Sequence, residues 1–330
     1  MRPFTFSTAE DARGALATAA ANPDNHYLGG GTNLLDLMKE DVERPDHVIE
    51  VADLPYREVT RSGDGGYAVG AMLSNSATAN HPDIRRNYPL LSMTILAAAT
   101  AQIRNMATNG GNLLQRTRCP YFYETSMPCN KRAPGSGCGA LNGMNATHAV
   151  FGWSEACVAT YPGDMSVALA ALDARVQIQQ PDGGTRTTAI AIFYRLPGDR
   201  PEQDTNLQPN ELITAILLPP PVFADHYYYL KIRERSSYAF ALLSVAAGLQ
   251  LQGDRISKVG LAMGGVAHMP WRLTKAEAYL IGKAPNTENF ERAAALEMAD
   301  ARPLTHNEYK VPMGEKAIVR ALTLAYERQA

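Results

Sequence analysis

The chain has 330 residues, of which 45% are hydrophobic and 19% charged, and 31 Lys+Arg against 33 Asp+Glu give a formal net charge of −2. This composition predicts a globular protein of about two domains and excludes a mini-protein, a collagen-like fibre and a disordered chain. The chain has no basic excess that would bind a nucleic-acid backbone or an anionic membrane. We therefore expect no nucleic-acid partner.

The N-terminal segment has one early arginine, several acidic residues and no apolar core of the length that a secretory signal needs. The most apolar stretches elsewhere are too short or too interrupted by polar residues to cross a bilayer. We expect a chain without a signal of its own and without membrane insertion.

The first part of the chain alternates between strand and helix patterns. Ser7-Thr8-Ala9-Glu10 has the form of a capping box, which predicts that a helix starts there and runs to about Ala21. Apolar alternation and turn residues predict the neighbouring elements. These are strands at Phe4–Phe6, His26–Leu28, His47–Val51 and Tyr67–Ala71, and helices at Thr32–Lys39 and Tyr88–Ile103.

The segment from Asn109 to Gly143 is rich in Gly, Pro, Asn and Cys and predicts a loop without a regular period. Pro219-Pro220-Pro221 is the best domain boundary, because consecutive prolines favour extended backbone between packed units. The patterns around this boundary predict a helix at Asp164–Asp173, strands at Arg175–Gln179, Thr185–Ile190, Leu212–Leu218, Tyr227–Arg233, Ala239–Leu251 and Ile256–Val266, and helices near 273–282, 287–299 and 313–327.

Two glycine-rich segments are candidates for phosphate binding. Leu28-Gly29-Gly30-Gly31-Thr32-Asn33-Leu34 lies between a predicted strand and a predicted helix, where backbone N–H groups can converge on an anion. Met106 to Leu113 repeats the Gly-Gly theme with Gly110 and Gly111 and adds Thr108 and Asn112. Neither segment is a GxGxxG fingerprint or a P-loop, and an ordinary turn is the alternative for each. Together they could flank one pyrophosphate.

The four cysteines of the chain, Cys119, Cys129, Cys138 and Cys157, are confined to one polar region. Four thiolates suit a tetrahedral site, and both zinc and a [4Fe–4S] cluster accept four cysteines. The wide spacings match neither a ferredoxin motif nor a zinc ribbon. Two disulfides or four unrelated buried thiols are the alternatives, and the residues alone leave the choice between zinc and iron open.

Other polar residues offer weaker evidence of chemistry. Asp164 begins a predicted helix and is most simply a capping or dipole-compensating carboxylate, with a ligand hydroxyl as the alternative partner. Lys231 lies on a predicted strand and by default is solvated, with an anionic ring edge as the alternative. The histidines have no HxxxH or HExxH spacing, and no nucleophile motif occurs. We therefore expect no catalytic residue of acid–base or nucleophilic type.

These motifs together resemble the FAD-binding, or medium, subunit of the xanthine dehydrogenase and molybdenum hydroxylase family, over the whole chain. Leu28–Leu34 is similar to the first FAD pyrophosphate loop of that family, although the family often has Ala at the position of Gly29. Ile103-Arg104-Asn105 and Thr108–Leu113 are similar to its second loop. Val259–Ala267, with Pro270 and Arg272, is similar to the signature of its C-terminal domain.

The resemblance implies an α+β fold with two parts. Residues 1–221 would form an FAD-binding PCMH-type (type 2) domain of two α/β subdomains, and residues 222–330 a C-terminal α+β domain like that of the CO dehydrogenase flavoprotein. The cysteine segment at about 115–157 resembles the insert of a narrower group that includes bacterial periplasmic aldehyde oxidoreductases. In that group the insert holds a [4Fe–4S] cluster, which implies iron on Cys119, Cys129, Cys138 and Cys157.

The resemblance also implies a set of FAD contacts, which combines the two loops with four further positions. These residues are Tyr27, Leu28, Gly29, Gly30, Gly31, Thr32, Asn33, Leu34, Thr108, Gly110, Gly111, Asn112, Asp164, Ile213 and Lys231. Binding of the pyrophosphate would rest on loop amides and not on arginines.

The implied function is electron transfer within a heterotrimer. A large molybdenum-cofactor subunit would oxidise an aldehyde, a small [2Fe–2S] subunit would relay electrons, and FAD on this chain would pass them to an external acceptor. The complex would lie in the periplasm if a partner carried a twin-Arg (Tat) signal, and otherwise in the cytoplasm. Two alternatives remain open, namely a stand-alone flavin oxidase of the same fold and a zinc-stabilised interaction protein without flavin.

Overall fold

A computed structural model describes residues 1–328 of the chain. The strands are β1 (Thr5–Thr8), β2 (Asn25–Leu28), β3 (His47–Glu50), β4 (Val59–Arg61), β5 (Tyr67–Gly70), β6 (Arg175–Gln179), β7 (Thr185–Ala189), β8 (Leu212–Leu218), β9 (His226–Ile232), β10 (Leu243–Gln252), β11 (Arg255–Gly264) and β12 (Trp271–Arg272). The helices are α1 (Ala12–Ala20), α2 (Leu34–Lys39), α3 (Asn75–Asn80), α4 (Pro82–Asn87), α5 (Pro89–Ala97), α6 (Ala101–Met106), α7 (Asn109–Leu113), α8 (Pro120–Tyr123), α9 (Asp164–Ala171), α10 (Ile190–Phe193), α11 (Thr274–Leu280), α12 (Thr287–Met298) and α13 (Lys310–Glu327). The fold is mixed α and β, as the sequence predicts.

The N-terminal unit is a three-stranded parallel sheet in the order β1-β3-β2. His47 of β3 is in register with Thr5 of β1 and with Asn25 of β2. Parallel strands end at the same edge of a sheet, so the glycine loop after Leu28 emerges at the edge where ligands bind in sheets of this type.

The second unit is a five-stranded sheet in the order β4-β5-β8-β6-β7, in which all pairs are antiparallel. The chain leaves this sheet after β5 and returns at β6. Helices α3 to α9 and the cysteine segment are therefore carried on one long excursion from the sheet, and this excursion brings them to the N-terminal unit.

The C-terminal unit is an antiparallel sheet in the order β12-β11-β10-β9, with α11, α12 and α13 packed on it. The buried residues of this unit form their own hydrophobic cluster, which includes Phe290, Ile318 and Leu322. Val150 and Phe151 from the cysteine segment also belong to this cluster. Tyr229 of β9 instead belongs to a second hydrophobic cluster, which is formed mainly by residues of the first two units. The division at residue 221 stays a prediction.

The structure corrects three sequence predictions. The capping box at Ser7 is wrong: β1 continues to Thr8, and the helix begins at Ala12 with the Asp11 carboxylate accepting from the Gly14 N–H. The long helix predicted from Tyr88 to Ile103 is broken between Ala97 and Ala101, because Arg104 donates to the carbonyls of Leu96 and Ala99 while Thr100 starts a new helix.

The third correction concerns the strand predicted to start at Ala239. It starts at Leu243, and residues 239–241 form part of the cleft wall described below. The predicted bounds of β6 and β8 agree with the structure. The Asn109–Gly143 segment is mostly irregular, with the two short helices α7 and α8 at its start.

Candidate functional site

The first glycine loop lies directly against the second. A Cβ atom on Gly30 would be only 1.7 Å from the carbonyl oxygen of Met106, and one on Gly29 would be 2.5 Å from the Thr108 hydroxyl. Gly31 has a φ of +72°, which favours glycine. The close approach of the two loops therefore requires residues without a side chain, and the predicted pairing of the loops is present.

Thr108 fixes the start of the short helix in the second loop. Its hydroxyl accepts a hydrogen bond from the Gly111 N–H at 3.2 Å, so this amide is already paired. The buried Asn109 amide bonds to Thr78, Asn75 and the Gly70 carbonyl. These contacts hold the loop in one conformation beside the cleft.

A cleft with a volume of about 690 Å³ opens beside the two loops. This volume is within the usual range for cofactor sites. Six of the predicted flavin contacts line it, namely Thr32, Asn33, Gly111, Asn112, Asp164 and Lys231. Within residues 1–328, the other predicted contacts do not form its wall; these are Tyr27, Leu28, Gly29, Gly30, Gly31, Leu34, Thr108, Gly110 and Ile213.

Ile213 lies away from the cleft surface. It is buried in β8 and pairs with Ile178 of β6. The Tyr27 hydroxyl is buried without a hydrogen-bond partner among the described residues, and burial raises the pKa of this phenol.

Asp164 and Lys231 form a buried ion pair in the cleft wall. The Lys231 Nζ is 2.9 Å from Asp164 Oδ2, and the two side chains are only 4% and 8% exposed. The Tyr229 hydroxyl donates to Asp164 Oδ1 at 2.5 Å. Burial raises the pKa of Asp164, while the Lys231 charge opposes that rise. Gly163 is the N-cap residue, so Asp164 does not cap the helix, but it is the acidic residue of the first turn, as the dipole-compensating alternative predicts. The solvated state expected of Lys231 is wrong.

Four buried polar atoms of cleft-lining residues lack partners among residues 1–328, namely His148 Nδ1 and three side-chain N–H donors of asparagine and arginine residues. The three donors are Asn33 Nδ2, Arg104 Nε and Arg118 Nε. Buried donors are rarely left unpaired. The cleft wall therefore contains three side chains that each have an unused donor, which suits a ligand rich in acceptor oxygens, such as a pyrophosphate.

Arginines in the cleft wall are the candidate binding residues that sequence reasoning missed. Arg118 lies over the ring of Phe240 at 5.0 Å and is 2.8 Å from the Asp36 carboxylate. Arg235 also lines the cleft. Arg104 belongs to the quoted second-loop motif and Arg118 precedes a cysteine, so both positions were visible in the sequence.

All four cysteines line one small pocket, and each is a free thiol. Cys119 also lines the large cleft, so this residue lies in the wall between the two. In the described part of the chain, no group of three or more His, Cys, Asp or Glu side chains is arranged to hold a metal ion.

The surroundings of the cysteines are rich in donors. Burial raises the pKa of Cys119 to about 12. Hydrogen bonds from the backbone N–H groups of Phe122 and Tyr121 act in the opposite direction, but burial has the larger effect. A hydrogen bond with Cys157 is the main cause that lowers the pKa of Cys138 to about 6. The hydrogen bond with Cys138 and burial both raise the pKa of Cys157. The positive charge of Lys131 opposes this rise.

Two buried histidines contact two of the cysteines. His148 Nε2 is 3.1 Å from Cys119 Sγ, and His268 Nε2 is 3.3 Å from Cys157 Sγ. Burial lowers the pKa of His148 to about 4 and that of His268 to about 3, so both imidazoles are neutral at pH 7.

A buried charge network attaches the cysteine segment to the rest of the unit. Asp204 bonds Arg116 Nε at 2.9 Å and Lys131 Nζ at 2.5 Å, and Arg116 also pairs with Glu43. Lys131 further donates to the Pro201 carbonyl at 2.7 Å. These bonds connect the cysteine segment to Glu43, Pro201 and Asp204.

Comparison with known proteins agrees with this architecture. Residues 2–221 match the family of the FAD binding domain in molybdopterin dehydrogenase, and residues 228–325 match the CO dehydrogenase flavoprotein C-terminal domain. The chain belongs to this family of FAD-binding subunits.

Among its relatives, the aldehyde oxidoreductase FAD-binding subunit PaoB of Escherichia coli (strain K12) is 45% identical over 98% of this chain and 99% of that one. The glyceraldehyde dehydrogenase medium chain of Sulfolobus acidocaldarius is 26% identical over 91% of this chain and 89% of its own length. A chain of the carbon monoxide dehydrogenase from Hydrogenophaga pseudoflava has the same fold, with a TM-score of 0.78, 24% identity and full coverage of both chains. None of the helices within residues 1–328 is long and apolar enough to cross a membrane.

Proposed function

We propose that this chain is the FAD-binding electron-transfer subunit of a heteromeric molybdenum-dependent aldehyde oxidoreductase. The observation that carries this proposal is the cleft beside two touching glycine loops, in which Asn33, Arg104 and Arg118 present unpaired buried donors. Aldehyde as the substrate class is supported by the 45% identity to an aldehyde oxidoreductase subunit along the whole chain.

The residues of the chain would bind FAD in two ways. The loop at Gly29–Gly31 would approach the pyrophosphate with its backbone, since any side chain on Gly30 would collide with Met106. The Gly110 and Gly111 N–H groups already bond Ala71 O and Thr108 Oγ1, so the second loop would support the first loop and would not donate from these two amides. The unpaired donors of Asn33, Arg104 and Arg118 would hydrogen-bond phosphate oxygens, so the proposed binding uses two arginines in addition to the loop amides that the resemblance implies. The bound flavin would supply the redox chemistry, accepting electrons and passing them on.

The ion pair in the cleft wall would act as a fixed support. Lys231 and Asp164 form an ion pair with each other, and the Tyr229 hydroxyl donates a hydrogen bond to the second oxygen of the Asp164 carboxylate. A side chain fixed in this way needs no rearrangement when the cofactor binds. The proposed contact set keeps all of the predicted positions, although Thr108, Gly110 and Ile213 are buried.

We also propose that the cysteine pocket holds a [4Fe–4S] cluster on Cys119, Cys129, Cys138 and Cys157. A single zinc ion with Zn–S bonds of about 2.3 Å needs sulfurs roughly 3.8 Å apart, whereas a cluster has its irons at separate corners and holds the four sulfurs farther apart. Analysis of iron, acid-labile sulfide and zinc therefore distinguishes a cluster from a single zinc ion. Backbone donors and the buried Lys131 suit a group of negative charge.

In the proposed complex a large molybdenum-cofactor subunit oxidises the aldehyde. A small [2Fe–2S] subunit passes the electrons to this chain, which delivers them to an external acceptor. A partner with a twin-Arg (Tat) signal would carry the assembly to the periplasm, and without one the complex would remain in the cytoplasm.

The test is to co-produce the chain with its partner subunits under anaerobic conditions. Flavin, iron, acid-labile sulfide and zinc are then measured in the purified complex. We expect FAD together with iron and sulfide. A complex without flavin would refute the FAD proposal, and zinc without sulfide would refute the cluster. Aldehyde oxidation by the isolated flavin-loaded chain would support the stand-alone oxidase.

A matched pair of glycine variants tests the loop contact. Gly30→Ala places a Cβ against Met106 O, whereas Gly63→Ala places one in open space. We expect Gly30→Ala to lose most of its bound FAD while its circular dichroism spectrum stays native, and Gly63→Ala to retain wild-type flavin. Equal flavin content in the two variants would contradict the role of the loop.

A further inference from the structure

We infer that His148 and His268 are positioning residues that donate N–H···S hydrogen bonds to the cluster's cysteine ligands and raise its reduction potential. This inference rests on the proposed [4Fe–4S] cluster. It is carried by two separate contacts of the same type, one between His148 Nε2 and Cys119 Sγ at 3.1 Å and one between His268 Nε2 and Cys157 Sγ at 3.3 Å.

The direction of each hydrogen bond follows from the chemistry of the two partners. A cysteine sulfur bound to iron has no proton, so the imidazole must be the donor. In both histidines, Nδ1 is buried and has no partner among the described residues. If the proton of the neutral ring is on Nε2, Nδ1 is an unpaired acceptor. If the proton is on Nδ1, that atom is an unpaired buried N–H donor, which proteins tolerate less well. The tautomer with the proton on Nε2 is therefore favoured.

The backbone at both histidines is held by residues from outside the cysteine segment. The His148 carbonyl accepts from Lys310 Nζ at 2.9 Å and from the Asn307 amide at 3.1 Å, and both donors belong to the C-terminal unit. His268 follows β11, and the neighbouring Ala267 carbonyl accepts from the Tyr161 N–H at 2.9 Å. The backbone of each histidine is thus fixed beside one of the two sulfurs that its ring contacts.

The effect on the cluster is electrostatic. Reduction by one electron increases the negative charge on the sulfurs, and a hydrogen-bond donor stabilises the more negative state more strongly. Loss of a donor should therefore make the cluster harder to reduce. His148 also lines the flavin cleft, whereas His268 does not belong to its wall within residues 1–328. A shift caused by His268 is therefore free of direct contact with the flavin.

The experiment is a dithionite titration of the whole complex with redox mediators, followed by electron paramagnetic resonance of the reduced cluster. We expect His148→Leu and His268→Leu each to lower the equilibrium constant for reduction about tenfold, or about 59 mV for a one-electron couple. His148→Gln and His268→Gln keep an N–H the same number of bonds from the backbone and should stay near the wild-type potential.

His226→Leu is the matched control, because His226 is also partly buried with an unpartnered Nδ1 but stacks on Tyr326. It should leave the potential unchanged. Wild-type potentials in both Leu variants, or equal shifts in the Leu and Gln variants, would overturn the inference.

A measurement on the unmutated complex covers the case in which the Leu variants fail to assemble. With ¹⁵N-labelled histidine, pulsed electron paramagnetic resonance of the reduced cluster should show weakly coupled histidine nitrogens. A reduced cluster without such couplings would refute the inference while leaving the proposed function intact. A wild-type complex without iron and sulfide would instead refute the cluster itself.

Discussion

The charge network around Arg116 and Lys131 depends on the Asp204 carboxylate. The substitution Asp204→Asn tests how much this network stabilises the fold. The substitution removes the negative partner of Arg116 and of Lys131, whose side chain is only 1% exposed. Breaking a buried ion pair on one side costs about 3–5 kcal/mol, because the remaining charge is left uncompensated. For a unit of this size 1 kcal/mol corresponds to about 2–4 °C in melting temperature, so we expect a fall of about 6–20 °C.

The pH dependence gives a second, independent measure. Burial alone would raise the pKa of Asp204, but the charges of Lys131 and Arg116 outweigh it and lower the pKa to about 2. A carboxyl with a depressed pKa in the folded state contributes stability above its unfolded pKa and loses that stability as the pH falls towards the folded value. Between pH 5 and pH 3 the wild type should lose about 1 kcal/mol from this group, whereas Asp204→Asn should not.

Calorimetry of the full chain at pH 7, 5 and 3 measures both effects. Asp300→Asn is the matched control, because the Lys275–Asp300 pair is more than half exposed on both sides and an exposed pair contributes at most about 1 kcal/mol. Equal losses in the two variants at pH 7, or a pH dependence of Asp204→Asn equal to that of the wild type, would refute the reasoning.

Two further substitutions test the packing of the pocket and of the cleft wall. Phe122 is fully buried against Cys129, so Phe122→Ala should lower the free energy of unfolding by about 3–5 kcal/mol in urea titration, and a loss below about 1 kcal/mol would contradict this packing. Lys231→Met leaves the buried Asp164 carboxylate without its cation, which raises its pKa further. An acid with a raised folded pKa destabilises the fold as the pH rises, so this variant should melt closer to the wild type at pH 5 than at pH 7, and an equal gap at both pH values would contradict it.

Elements with a local pattern were predictable from the sequence. The strand Arg175–Gln179 is bounded by a turn and has clear alternation, and its predicted bounds agree with the structure. The break after Ala97 was not predictable, because it depends on Arg104 reaching back to two carbonyls. Helical periodicity continues through the break, so the pattern alone predicts one long helix.

The candidate site, like the fold, was predictable from the sequence only in part. Glycine loops and a cysteine group are visible as residue types, so their chemistry could be anticipated. The contact of Gly30 with Met106 and the approach of His268 to Cys157 join distant parts of the chain. Such pairings depend on the topology, and a single sequence carries no local trace of them.

The cysteine segment is an integral part of the cleft. Within four residues, Arg116 enters the buried charge network, Arg118 presents an unpaired donor to the cleft, and Cys119 lines both the cleft and the cysteine pocket. Thr117 between them bonds the Thr160 carbonyl at 2.8 Å, close to Asp164. Because one short stretch of backbone positions all of these groups, a change that displaces it should reduce the flavin content together with the iron content of the proposed cluster. An insert that only decorates the surface would lose iron alone.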